Sequence, residues 1–268
     1  MPNPIKDVLL DPARLALWTR LREVCTQGVR SFRILTPSDG LDLPALLPAH
    51  QHAVPTLVLG LSGLLRISAK TPIDLLPGDL LLVEPGTWHD HPRHKPGTTS
   101  FGLGFLAGRC DVLFFDHQQT LWGTVPEQPY LGLITTLMDE KREAERLRLI
   151  DEILTQLAQE RIDFVDWRRP EVLTMAAWLW NHLHESFDVD EMVERAGIGR
   201  TAGFRMFKDF FGRSPKQELL ASRIAIAKHL LHRGMSVTDA AKRSGFATRA
   251  ELTRAFRRKV GHPPSDEM

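Results

Sequence analysis

The chain has 268 residues, with 34 Lys+Arg against 33 Asp+Glu for a formal net charge of +1, and 43% of it is hydrophobic. A quarter of the residues are charged and low-complexity stretches are few, which excludes a disordered chain, and the length is enough for two cores or one large one. The longest apolar runs, LVLGLSGLL and DLLLV, stop short of the roughly 18 residues a spanning helix needs; the early residues do not read as a secretory signal; and Cys25 and Cys110 stand far apart with no Cys-x-x-Cys pair, so neither a disulfide framework nor a thiolate cluster is expected and the cytoplasm is the default location.

Residues 12–25 follow Asp11, a good N-cap, with Pro12 at the first helical position. Leu15, Trp18, Leu21 and Cys25 fall at helical spacing, which predicts a short amphipathic helix. From Ser31 to about Pro129, Pro and Gly recur every few residues between short apolar runs: TLVLGLSG, LLRISA, DLLLVEPG, TSFGLGFLAG and DVLFFD. That pattern predicts an antiparallel sandwich or barrel. After Tyr130 the segment LITTLMDEKREAERLRLIDEILTQLAQER reads as helix, with Ile134, Leu137, Leu147, Ile150, Leu154 and Leu157 on one stripe. The stripe lapses between Lys141 and Ala144, and two uses stay open for it: packing within its own domain or a dimerisation seam. A further helix is expected after Pro170, over EVLTMAAWLWNHLHESF.

Charge is unevenly distributed. Residues 1–194 hold 18 Lys+Arg and 27 Asp+Glu, whereas 195–262 hold 16 Lys+Arg against 4 acids, and the tail adds Asp266 and Glu267. A basic block of that density favours a polyanionic partner. It also contains a repeat: VDEMVERAGI (189–198) aligns with VTDAAKRSGF (237–246), and RMFKDFFGRSP (205–215) with RAFRRKVGHPP (254–264), the second copy having one more residue after its turn glycine. Each copy reads as a short helix, a tight turn and a longer helix. Asp188 with Glu191, Ser236 with Asp239 and Thr248 with Glu251 mark helix starts, and Ser214, Pro215 and Gln217 open a linking helix that runs to His232.

The segment 189–264, with its GF-x-x-x-x-x-L-x-R-x-F-x-x-x-x-G-x-x-P pattern in the second copy and its linking helix carrying Arg223, resembles the DNA-binding domain of the AraC-type bacterial transcription regulators. The resemblance implies that the second helix of each unit enters the major groove, where phosphate contacts fix register and side chains read base edges. It places Arg200, Thr201, Phe204 and Arg205 on the first reading helix, and Thr248, Arg249, Ala250, Thr253 and Arg254 on the second. Arg249 suits guanine and Thr253 a thymine methyl. Arg205 and Arg254 stand open to base reading, phosphate contact or support of the helix, while Met206, Phe207, Leu252 and Phe256 are assigned to core. The first reading helix departs from the family, with Gly203 where a large apolar residue is usual and Phe204 at an often polar position.

Residues 50–63 (HQHAVPTLVLGLSG) and 78–89 (GDLLLVEPGTWH) resemble the two motifs of the cupin barrel. Carried over, the resemblance implies a metal triad of His50, His52 and His89, although Thr56 replaces the usual acid and Glu84 stands where proline is common; His91 and His94 lie near in sequence. The alternative use of the region is an effector pocket lined by His50, His52, Trp88, His89, Phe101 and Phe105. The expected architecture is α+β: a cupin-like β-barrel with an N-terminal helix over 1–130, connecting or dimerising helices over 131–170, and an all-α domain over 171–268 with two helix-turn-helix units joined by a linker helix. The function this implies is a non-enzymatic, sequence-specific regulator. Its partners would be promoter DNA and a small-molecule effector, it would act as a homodimer without membrane association, and RNA polymerase stays open as a further partner. The alternative is a metal-dependent cupin enzyme fused to a DNA-binding module; otherwise no cofactor is implied.

Overall fold

Strand by strand, the apolar alternation in the N-terminal half determines which side chains meet. In the computed structural model, which describes residues 12–41, 51–89, 95–106, 109–116, 120–160, 162, 165–166, 170–185 and 188–268, the chain divides into two units. The first comprises Met1–Leu41, Pro55–Glu84 and His89–Trp167, and the second Asp42–Val54, Pro85–Trp88 and Arg168–Met268.

The first unit opens with α1 (Pro12–Gln27), which buries Leu21, Val24 and Cys25; Asp11 and the side chains of Leu15 and Trp18 lie outside the described residues. Its strands are β1 (Ser31–Leu35), β2 (Thr56–Ser62), β3 (Leu65–Ile67), β4 (Ile73–Leu75), β5 (Asp79–Val83), β6 (Thr99–Leu106), β7 (Arg109–Phe115), β8 (Thr120–Val125) and β9 (Val165–Asp166). Seven of them form one sheet in the order β1-β5-β2-β6-β7-β8-β9, and β3 pairs with β4 in a separate hairpin. Leu57 stands between Leu82 and Leu103, and Leu59 between Leu80 and Phe101, so one face is a continuous apolar ladder. The opposite face carries Leu35, Leu81 and Val83, and these pack with Leu65, Ile67, Ile73 and Leu75 of the hairpin.

The barrel expected from sequence is corrected here to an open sheet: no pairing joins β1 to β9 among the described residues. The physical reason lies in β1, which runs parallel to β5, where an all-antiparallel arrangement was expected. A parallel pair requires a long crossover, and the residues between these strands fold β3 and β4 back over the sheet, so a second layer covers the face that closure would otherwise have covered. Asp79 pins this join. Buried at the start of β5, its carboxylate accepts from the Arg30 guanidinium, from Ser31 Oγ at 2.7 Å and from the Leu76 N–H at 2.8 Å.

The stripe after Tyr130 forms two helices, α2 (Tyr130–Asp139) and α3 (Glu143–Gln159), instead of one. Between Met138 and Leu147 the only non-charged residue is Ala144, so no apolar face holds a continuous helix together. Glu140 adopts an extended conformation (ψ 133°), and its carboxylate accepts from the N–H groups of Lys141 and Arg142 at 2.9 and 2.8 Å, giving the new helix an acidic start. Ile134, Leu137, Ile150, Leu154 and Leu157 are buried within this unit, where α3 packs on α1 and α2, and Leu147 is left exposed. The stripe is thus spent on the chain's own core.

In the second unit, α4 (Pro170–Asn181) leads into α5 (Val189–Arg195), α6 (Arg200–Phe211), α7 (Pro215–His232), α8 (Val237–Arg243), α9 (Arg249–Lys259) and a terminal 3-10 turn (Pro264–Glu267). Trp180 of α4 is its hub. Its ring meets Phe211 and His52 edge-on, its indole N–H donates to Ser222 Oγ at 3.2 Å, and its carbonyl accepts from Gln51. Ser222 in turn donates to the buried Glu218 carboxylate, which pairs with Arg213, so each buried polar side chain along this path is satisfied. None of the described helices is long and apolar enough to cross a membrane.

Candidate nucleic-acid interface

Each reading helix begins where local chemistry stops the preceding turn. Asp188 caps α5 by accepting from Asp190 N, Ser236 caps α8 through Asp239 N at 3.1 Å, and Thr248 caps α9 through Glu251 N at 3.1 Å. Glu251 returns the bond to the Ala247 N–H at 3.0 Å. The linking helix α7 carries a full capping box between Ser214 and Gln217 behind Pro215. Helix α6 starts after Gly199 with no side-chain cap. The extra residue of the second repeat lies in its turn, which spans 244–248 against 196–199 in the first.

The repeats solve the same packing problem with exchanged volumes. In the first helix-turn-helix unit Gly203 is buried, and a Cβ there would stand 2.6 Å from Val193 Cγ1 and 3.3 Å from Ile198 Cδ1. In the second unit the aligned positions are Leu252, fully buried, and Ala241, 1% exposed. A large residue on the first helix therefore faces glycine on the second in one unit, and a small residue faces leucine in the other. This explains the departure at Gly203 that the sequence leaves unexplained.

The turn glycines are less alike than the repeat implies. Gly197 (φ +68°) has open space where a Cβ would be, whereas at Gly245 (φ +85°) a Cβ would lie 1.9 Å from the Leu183 carbonyl oxygen and 3.0 Å from Arg223 Nε. That carbonyl accepts from Arg223 Nε at 2.7 Å, and the carbonyl of Glu185 accepts from its Nη2 at 3.0 Å. Arg223 thus ties α7 to the backbone after α4, over the turn of the second unit.

The proposed reading residues lie at the surface. Arg200, Thr201, Arg205, Thr248, Arg249, Ala250 and Arg254 are exposed, and Phe204 and Thr253 are partly so. Phe207, Leu252 and Phe256 are buried and Met206 half-buried. Arg205, Arg249 and Arg254 make no side-chain hydrogen bond or ion pair among the described residues, while Arg200 Nη1 pairs with Asp190 Oδ2 at 2.7 Å and its guanidinium lies 5.7 Å from the Phe204 ring centroid. Thr253 Oγ1 donates to the Arg249 carbonyl at 2.9 Å. The sequence reading did not single out Lys242, Arg243, Arg257, Arg258 or Lys259, all exposed, as individual contacts. The second copy is the more basic of the two: residues 237–259 hold seven cations and two acids, against four and four in 189–211.

Two helix-turn-helix units, a linking helix and exposed basic reading faces are the arrangement that the family comparison matches: a family described as "Helix-turn-helix domain" covers residues 192–267. Residues 192–267 match that helix-turn-helix family. The chain is similar to a probable transcriptional regulator LumQ of Photobacterium leiognathi, 24% identical over 81% of this chain and 90% of that protein. It is also similar to the transcriptional activator RhaS of Escherichia coli strain SE11, 32% identical over 34% of each chain, so the match spans about a third of that relative. Among solved structures, the DNA-binding domain of AdpA in complex with a target DNA is 35% identical, covering 36% of this chain and 87% of that one with a TM-score of 0.34. ToxT of Vibrio cholerae O395 is 9% identical over 85% of this chain and 93% of that one, with a TM-score of 0.38. LumQ, RhaS and AdpA are each described as transcription regulators.

The histidines are distributed between the units. His52 belongs to the second, against Trp180, with Trp88 in the same unit; His89 is buried in the first. His50, His91 and His94 lie outside the described residues, and among those described no group of three or more His, Cys, Asp or Glu is placed to hold a metal ion. Phe101 and Phe105 are buried on β6, Phe101 edge-on to Phe114 at 5.2 Å. Both thiols are free and buried, and burial pushes Cys25 up to about 12, which leaves it unreactive.

Proposed function

We propose that the chain is a cytoplasmic, sequence-specific transcription regulator whose second unit binds promoter DNA through α6 and α9, with the sheet-rich first unit sensing a small-molecule effector. The observation that carries the reading is α9. It starts at a capped Thr248, buries Leu252 and Phe256 on one side, and presents Arg249, Ala250, Thr253 and Arg254 on the other, with Arg257, Arg258 and Lys259 in its last turn. Arg249 is unpaired in its own fold and suits the N7 and O6 of guanine; Thr253, its hydroxyl hydrogen engaged by its own helix, offers a methyl to thymine. Arg200, Thr201, Phe204 and Arg205 form the corresponding face of α6. The two helices would address successive major-groove segments about one helical turn apart.

Within the first unit, His89, Phe101 and Phe105 are the candidates for contact with the effector. The chain acts as a homodimer at a promoter, with RNA polymerase as a further partner. Anisotropy titrations of the full chain should show a preference of roughly 10³-fold or more for a selected duplex over bulk DNA at near-physiological salt. No preference would remove the regulator reading. A thermal-shift screen of sugars, aromatic acids and metals tests the sensor half, since a ligand of the native state raises the melting temperature.

A further inference from the structure

The two helix-turn-helix units are electrostatically unequal, and one ion pair accentuates the difference. The first unit balances Arg195, Arg200, Arg205 and Lys208 with Asp190, Glu191, Glu194 and Asp209, whereas the second opposes its seven cations with Asp239 and Glu251 alone. At aligned positions the first short helix carries Asp190 and Glu194 where the second carries Thr238 and Lys242. Asp190 reaches across to the first residue of the reading helix and holds Arg200 at 2.7 Å, while Arg249, which opens the other reading helix, has no such partner.

We propose that Asp190 is a specificity-determining residue: it keeps Arg200 out of sequence-blind phosphate contact, so that the second helix-turn-helix anchors the protein on DNA and the first helix-turn-helix engages where base contacts repay the broken pair. The inference rests on the DNA-binding reading above. A free cation on a reading helix adds affinity for every sequence alike, because phosphates are everywhere. A cation already paired with an internal carboxylate adds little on arbitrary DNA and its full contact only at a matched site, which widens the gap between the two. The pair is exposed, with Arg200 66% and Asp190 54% accessible, so it is weak enough for DNA to displace. Phe204 beneath the guanidinium keeps Arg200 beside the groove-facing side of the helix once released.

The test uses the full chain, a duplex enriched from a random pool by the wild-type protein, and a scrambled version of it. Asp190→Asn should bind the scrambled duplex about two- to five-fold more tightly, the scale of an exposed pair. Its log-log salt slope should steepen by about 0.9, that of one additional phosphate contact. Asp190→Ser, which also suits the first turn of a helix, should do the same and separates the effect from helix stability, with melting curves checking both. Arg200→Ala should leave the scrambled duplex unaffected and weaken the enriched one roughly tenfold, whereas Arg249→Ala weakens both. If both Asp190 variants match wild type on the scrambled duplex in affinity and salt slope, the assignment is overturned and the regulator reading stands. If wild type does not discriminate between the duplexes at all, the regulator reading falls and the assignment with it.

Discussion

At the residue scale, two glycines that a repeat alignment would treat as equals have different tasks. Gly245→Ala should destabilise the second unit by more than about 3 kcal/mol, since strain at positive φ adds to a backbone clash with Leu183. Gly197→Ala should cost about 1–2 kcal/mol, from the left-handed backbone alone. Urea melts of both variants check this, and equal losses would discount the Leu183 contact. Gly203→Ala pits a helix-propensity gain of about 1 kcal/mol against overpacking of about 1–3 kcal/mol by Val193, so a net loss is expected. Adding Val193→Ala should restore stability to the Gly203→Ala background, and a double-mutant cycle with no coupling would remove the close-packing account. Sequence alone showed Gly203 as a departure. The reason was hidden because Val193 lies in a different helix and only packing brings the two together.

At the element scale, helix starts were highly legible. Ser236, Thr248 and the Ser214–Gln217 box all make the capping bonds their spacing implied, because a cap is decided by residues within one turn of each other. Asp188 caps its helix too, through Asp190 N instead of Glu191 N. Thr248→Ala should therefore lower stability by about 1 kcal/mol and loosen the start of α9, while Thr248→Ser keeps the bond. Thermal melts separate the two, and equal melting temperatures would show that the cap contributes nothing. Less legible were the short strands. β1 falls in the turn-rich region without being one of the runs that stood out, and β4 and β9 have only three and two residues, too few for a period of two to register. The break between α2 and α3 was visible as a lapse in the stripe but not as an end of helix, because Glu140, whose carboxylate accepts from the N–H groups of the link between the helices, is one more charge in a charged run.

At the scale of the whole molecule, Asp79 in the first unit and His184 in the second link stability to pH. Burial tends to raise the Asp79 carboxyl, but Arg30, Ser31 and the Leu76 N–H outweigh it and hold it below the usual carboxylate range. Burial, opposed by a hydrogen bond to the Lys242 backbone, holds His184 below the ordinary histidine value of 6.5. Both groups bind protons more readily in the unfolded chain, so both favour folding at neutral pH and lose that contribution on acidification. For His184 the loss begins as pH falls below about 6.5 and is complete below its folded value. For Asp79 it is confined to pH below the ordinary carboxylate range. Melting curves between pH 8 and 5 should fall for wild type and flatten for His184→Gln, and an unchanged slope in that variant would remove His184 as the cause. What the sequence determined by itself was local or periodic: the helical repeat, its caps, the basic block, and hence the DNA-binding half. Neighbours in a helix or a turn are set by spacing along the chain. The open sheet, the parallel join of β1 to β5, the packing of His52 on Trp180, the exchange of Val193 and Gly203 for Ala241 and Leu252, and the pairing of Asp190 with Arg200 were decided by tertiary structure. Each depends on which distant residues share a space, and no spacing along the chain encodes that.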